Sequence, residues 1–135
     1  MIGGTKYIDS VKEYFNFLIT QFSFEILEEK IRGNAFYDMQ YTDTTKVISI
    51  SYENIEDYLL VIVSILQNGE LPDYDDKTKT LDLKQLNVSI FPTISRSEIT
   101  ENHQFFTNLV PKNELEKKLL KYAEELRLCL NHLNL

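Results

Sequence analysis

The side chains of this 135-residue sequence best suited to chemistry are carboxylates gathered around tyrosines. Glu70, Asp73, Asp75 and Asp76 share one stretch with Tyr74, and Glu53, Glu56 and Asp57 fall between Tyr52 and Tyr58. A calcium loop spaces its carboxylates alternately, then adds a glycine and a distal glutamate, and the Glu70–Asp76 stretch has neither in place. The segment from Gly69 to Thr80 combines breakers and charge with little to bury, so it reads as an exposed loop. Its plainest role is a solvated turn. Its second is recognition, because tyrosine is enriched among the anchoring residues of protein interfaces. On that reading the expected partner contacts are Tyr52, Glu53, Glu56, Asp57, Asp73, Tyr74, Asp75 and Asp76.

Other reactive groups are sparse. Cys129 is the only cysteine, so a zinc quartet, a CxxC pair and an intramolecular disulfide are all ruled out. A nucleophilic cysteine needs an exposed, electropositive site, whereas Cys129 sits on a leucine stripe and reads as buried and structural. His132 lies one turn from the C-terminus, where an imidazolium favours the helix dipole, and His103 has no assignable role. Glu25, Glu28, Glu29, Asp38 and Glu53 would serve acid-base chemistry if folding brought them together. With no glycine-rich phosphate loop, serine-centred elbow or metal signature, the sequence reads as a non-catalytic chain that needs no metal or cofactor.

The elements that must position these residues centre on Val47–Leu66. Ile48, Ile50 and Tyr52 alternate with Ser49 and Ser51, the period of a strand with one buried face. Tyr58–Leu66 is apolar without alternation and ends at Asn68-Gly69, which suits a strand covered on both faces. Between them, residues 53–57 read as a hairpin loop in preference to a helix capped at Asn54. Upstream, Val11, Tyr14, Phe15, Leu18, Ile19 and Phe22 form one helical face, with Ser10 and Glu13 as a capping box. Ser23–Arg32 reads as a strand with Phe24 and Ile26 on one face and Leu27 and Ile31 on the other. The interruption at Glu28-Glu29-Lys30 suggests a bulge or a sheet edge. Gly33-Asn34 is a turn, Ala35–Tyr41 alternates as a strand, and residues 42–45 turn again.

Connections this short give an antiparallel meander of three to four strands. Leu81, Leu83 and Leu86 suit a short strand or a helical turn equally. Ser95 with Glu98 is a further capping box, and Pro111 bounds the segment it opens. From about Asn113, Leu115, Leu119, Tyr122, Leu126, Cys129, Leu130 and Leu133 mark a long amphipathic helix, with Glu114 and Lys118 one turn apart. The expected fold is therefore α+β, with an N-terminal helix, the meander and a long C-terminal helix in one domain.

Composition narrows the partners. A hydrophobic fraction of 43% with 8 Phe and 8 Tyr excludes disorder. The formal charge of −7, with no cluster of Lys and Arg, argues against nucleic acid and favours a basic partner. Neither a signal peptide nor a run of about 18 apolar residues is evident, so the expected setting is cytoplasmic and reducing, with no membrane partner.

From Phe24 to Leu66, FEILEEKIRGNAFYDMQYTDTTKVISISYENIEDYLLVIVSIL, the chain resembles the small α+β immunity proteins of bacterial polymorphic toxin systems. In these a helix leads into a meander rich in tyrosine, followed by an isoleucine-rich strand and a Tyr-Glu pair. The resemblance covers about a third of the chain and does not include the long C-terminal helix. It implies a cytoplasmic protein that binds a cognate toxin and blocks its active site without catalysis of its own. The acidic surface suits a basic toxin, since complementary charge raises association rates. Two other readings remain: a ligand-binding domain whose meander tyrosines line a pocket between sheet and helices, and a homodimer formed through the C-terminal leucine stripe.

Overall fold

The computed structural model describes residues 2–133, which divide into two compact units, one ending at Asp82 and one beginning at Leu83. The first opens with α1 (Gly4–Tyr14), whose buried stripe is Tyr7, Ile8, Val11 and Tyr14. The helix begins two turns before Ser10, which lies inside it, so Ser10 and Glu13 form no cap; Gly3 occupies the N-cap without a side-chain bond. The stripe continues upstream through Tyr7 and Ile8, and that apolar burial sets the start. The expected single helix to Phe22 breaks at Phe15-Asn16, and α2 is the short turn Phe17–Thr20. Ile19 is accordingly exposed. Ser23, at φ +60°, then reverses the chain into the sheet.

Five antiparallel strands follow in sequential order: β1 (Glu25–Arg32), β2 (Phe36–Thr42), β3 (Lys46–Glu53), β4 (Tyr58–Ile65) and β5 (Thr80–Asp82). The meander thus carries one short strand beyond the expected three to four. β1 is both bulged and at an edge, with the register slipping between Ile26 and Glu28. The extra residue places Ile26 opposite Tyr41 and Ile31 opposite Tyr37, on the same face rather than on the opposite faces expected. The 43–46 turn is built on Asp43, whose carboxylate accepts the Thr45 and Lys46 N–H groups at 3.0 and 2.9 Å and pairs with Lys46 Nζ. These bonds hold its carboxyl below the ordinary carboxylate range, against the opposing effect of partial burial.

One face of the sheet carries the core. Tyr37, Met39, Tyr41, Ile48, Ile50, Leu59, Val61 and Val63 are buried there, and α1 packs against β2 and β1. Tyr7 lies with its ring centroid 5.6 Å from both Tyr37 and Tyr52 and donates its hydroxyl to the Ile50 carbonyl at 2.8 Å. Tyr37, Tyr41 and Tyr52 are therefore core packing, whereas Tyr58 at the start of β4 is exposed. Asn54, inside the 54–57 hairpin turn, is buried and donates to the carbonyls of Asn34 and Ile2 at 2.9 and 3.0 Å, tying two neighbouring turns to the N-terminal segment.

In the second unit α3 (Leu83–Ile90) leads through a 3₁₀ turn at Phe91–Thr93 to α4 (Arg96–Phe105) and α5 (Glu114–His132). Residues 80–90 therefore supply both of the structures the sequence suited, a short strand and then a helix. Ser95 caps α4 by accepting the Glu98 N–H, and Asn113 caps α5 by accepting the Glu116 N–H at 2.8 Å. On α5, Leu115, Leu119, Ala123, Leu126, Leu128 and Cys129 are buried, while Tyr122, Leu130 and Leu133 are only partly covered. Glu114 pairs with Lys117 at 2.9 Å. The helix thus keeps a half-exposed edge, and Leu135 lies outside the described residues.

Candidate functional site

The face of the sheet opposite α1 is only partly covered, and its side chains follow from the register. Asp38, Ser51 and Leu60 stand in one cross-strand row, and Gln40, Ser49 and Ile62 in the next. Leu60 and Ile62 are half-exposed, so β4 is not covered on both faces; it lacks alternation because an apolar floor lies on its open side. A groove of about 400 Å³ runs over this floor, with Phe36 and Val47 within it and Leu71, Pro72 and Tyr74 of the acidic loop along its border.

The loop is held there by its own backbone. Gln67 and Glu70 exchange backbone hydrogen bonds at 2.7 and 3.0 Å around Asn68 and Gly69, both at positive φ, which closes a tight hairpin turn. The Asp73 carbonyl accepts Thr80 Oγ1 at 2.9 Å, and the Asp76 carboxylate accepts the Thr78 hydroxyl and N–H at 2.6 and 3.0 Å. Hydrogen bonds from Thr78 lower the Asp76 pKa, so that carboxylate is charged across the neutral range. Tyr74 is 64% exposed and Leu71 63%, large apolar areas in a loop that carries three exposed aspartates. Lys77 Nζ lies 4.5 Å from the Tyr74 ring centroid.

The expected contact residues separate into two groups at opposite ends of β4, whose eight residues span roughly 25 Å. Glu53, Glu56 and Asp57 are exposed at the 54–57 turn; Asp73, Tyr74, Asp75 and Asp76 are exposed in the loop after Ile65. Tyr52 belongs to neither surface. It is 5% exposed on the core face and donates its hydroxyl to Asp57, and burial, followed by that bond, raises its pKa to about 12.

A residue the sequence offered only as a distant catalytic carboxylate lies in the open face. Asp38 is 6% exposed, with one oxygen accepting Ser49 Oγ at 2.6 Å and the other Gln40 Nε2 at 2.8 Å, and both donors line the groove. Its signal in the sequence was an acidic residue within an alternating strand, flanked by Tyr37 and Met39. Of the other carboxylates named with it, Glu28 stands opposite Gln40 on the same face and lies 3.9 Å from Lys30, whereas Glu29 pairs with Lys12 and Glu53 lies at the hairpin end. Among the described residues no group of three His, Cys, Asp or Glu is placed to hold a metal ion.

Both histidines acquire carboxylate neighbours that sequence spacing concealed. His103 Nδ1 lies 2.9 Å from Glu124 Oε1, and His132 Nε2 bonds Glu98 Oε2, so α4 and α5 are joined twice in reciprocal sense. Between these pairs Asn102 is buried, donating to the Glu124 carbonyl at 2.9 Å and accepting from Arg127 at 2.7 Å, while the Arg127 guanidinium lies 3.8 Å from the Phe105 ring centroid. Cys129 is fully buried; its Sγ donates to Asn87 Oδ1 at 3.3 Å, and burial, with Glu125 nearby, raises its pKa to about 12. No thiolate chemistry is available to it at neutral pH.

The chain matches no family model, no curated protein and no solved structure. No helix among the described residues is long and apolar enough to cross a membrane.

Proposed function

We propose that the chain is a non-catalytic binding protein that captures a basic protein partner, as an immunity protein captures and neutralises its cognate toxin. The supporting observation is the loop from Leu71 to Asp76, which sets two largely exposed apolar side chains among three exposed aspartates beside an apolar groove. An aromatic anchor within like charge is the composition of an interface centre and its rim. The net charge of −7 adds a long-range field that steers a cationic partner. The groove volume also lies within the range of small-molecule sites, which favours ligand binding as the second reading.

The test is the triple reversal Asp73→Lys, Asp75→Lys and Asp76→Lys. All three positions are exposed and outside the sheet, so the fold should be retained although Asp76→Lys removes the Thr78 bonds. Asp73→Lys with Asp75→Lys alone gives the charge effect without that loss. Association with the basic partner should slow by about tenfold or more at low salt and lose most of its salt dependence. Unchanged kinetics would remove the loop from the interface. A thermal shift with small metabolites and no protein partner would favour the second reading.

A further inference from the structure

We infer that the groove on the open face of the sheet receives a cationic side chain, arginine or lysine, of the partner. This rests on the protein-binding reading above and adds the chemistry of the anchor. The groove's lining is apolar or neutral, from Phe36, Leu60 and Ile62 to the hydroxyls of Ser49 and Ser51. Bonded directly to two of the lining residues is the Asp38 carboxylate, almost wholly removed from water.

Its two hydrogen bonds come from neutral donors, and among the described residues no cation forms an ion pair with it. Lys30 stands directly opposite on β1, yet its Nζ lies 3.9 Å from Glu28. Arg32, two residues on, lies over the Phe36 ring at 5.8 Å. Buried carboxylates are ordinarily matched by an opposite charge, because desolvation is not repaid by neutral donors alone. In a low-dielectric setting the field of such a group reaches the groove with little screening. A guanidinium or ammonium on an aliphatic stem fits both parts: the stem lies along Leu60 and Ile62, and the charge and its N–H donors meet the Ser49, Ser51 and Gln40 oxygens over Asp38. An acidic or purely apolar anchor would satisfy only one of them.

The full chain, labelled with ¹⁵N, is titrated with N-acetyl-arginine amide, and in parallel with the neutral N-acetyl-norleucine amide, while the backbone amides of Gln40, Ser49, Ser51, Leu60 and Ile62 are followed by NMR. The expected result is saturable shifts at these amides with the arginine probe, at least tenfold weaker binding of norleucine, and at least tenfold weaker arginine binding in Asp38→Asn. Equal binding of the two probes to the unaltered chain, no groove shifts with the arginine probe, or undiminished binding by a folded Asp38→Asn variant overturns the inference. The wild-type comparison keeps the test decisive if Asp38→Asn does not fold. Should the arginine probe be inert while the triple-lysine loop variant still loses the partner, the cation pocket fails and the binding function stands; the reverse pattern separates them the other way.

Discussion

Two core tyrosines on facing elements differ in what their hydroxyls meet. Tyr7 donates to the Ile50 carbonyl, whereas the Tyr41 hydroxyl, equally buried, has no hydrogen-bond partner among the described residues. A buried polar atom left unpaired costs free energy, so removing it should be harmless and removing a paired one should not. In urea denaturation Tyr7→Phe should lose about 1–3 kcal/mol, and Tyr41→Phe should lie within about 0.5 kcal/mol of the parent or above it. Equal losses would contradict the hydrogen-bond assignment. Tyr52 gives a second residue-scale test. Its raised pKa means the folded state holds a phenolic proton that the unfolded chain releases near pH 10, so its contribution to stability is complete below pH 10 and lost as pH rises toward about 12. Tyr7 and Tyr41 are raised by burial as well, so the Tyr52 share is read by difference. Asp57 sits at φ +50°, which asparagine tolerates, and Asp57→Asn should move the tyrosinate absorbance midpoint down from about 12 while burial keeps it above 10. At this scale the sequence was least informative. Glu53, Asp57 and Tyr74 were visible as a composition of charge and aromatics, but that Tyr52 faces the core and Asp38 the groove depends on pairing register, and the two His–Glu pairs join residues 21 and 34 positions apart.

Periodicity located most of the elements, and the places where it misled have specific causes. Tyr37, Met39 and Tyr41, and Ile48, Ile50 and Tyr52, announced β2 and β3 by alternation because one face of the sheet is fully buried. β4 gave no alternation because Leu60 and Ile62 floor the open groove, so its apolar run marked a half-exposed apolar floor rather than a second covered face. The start of α1 was misplaced because Ser10 and Glu13 imitate a capping box, while the burial of Tyr7 and Ile8 extends the stripe past them. The caps at Ser95 and Asn113, by contrast, are made by their side chains. Asn113→Ala removes the acceptor of the Glu116 N–H at the head of a 19-residue helix and should cost about 1 kcal/mol in thermal or urea unfolding. Loss of less than about 0.3 kcal/mol would mean that water caps that end equally well.

At the scale of the molecule, the excess of 21 acidic over 14 basic side chains is more than a solubility device only if it is placed where a partner arrives. The two acidic groups lie at opposite ends of β4: the loop beyond Ile65 borders the groove with Leu71 and Tyr74 exposed, while at the 54–57 turn Ile55 and the adjoining Tyr58 are exposed. The measurement that bears most directly on this account is a pull-down from the host lysate with the parent chain and the Asp73→Lys, Asp75→Lys, Asp76→Lys variant side by side, as a salt series read by mass spectrometry. The account predicts one near-stoichiometric protein with a basic domain, held by the parent at low salt, released as salt rises, and absent from the variant. The same proteins retained by both baits, or none retained by the parent at low salt, would contradict it.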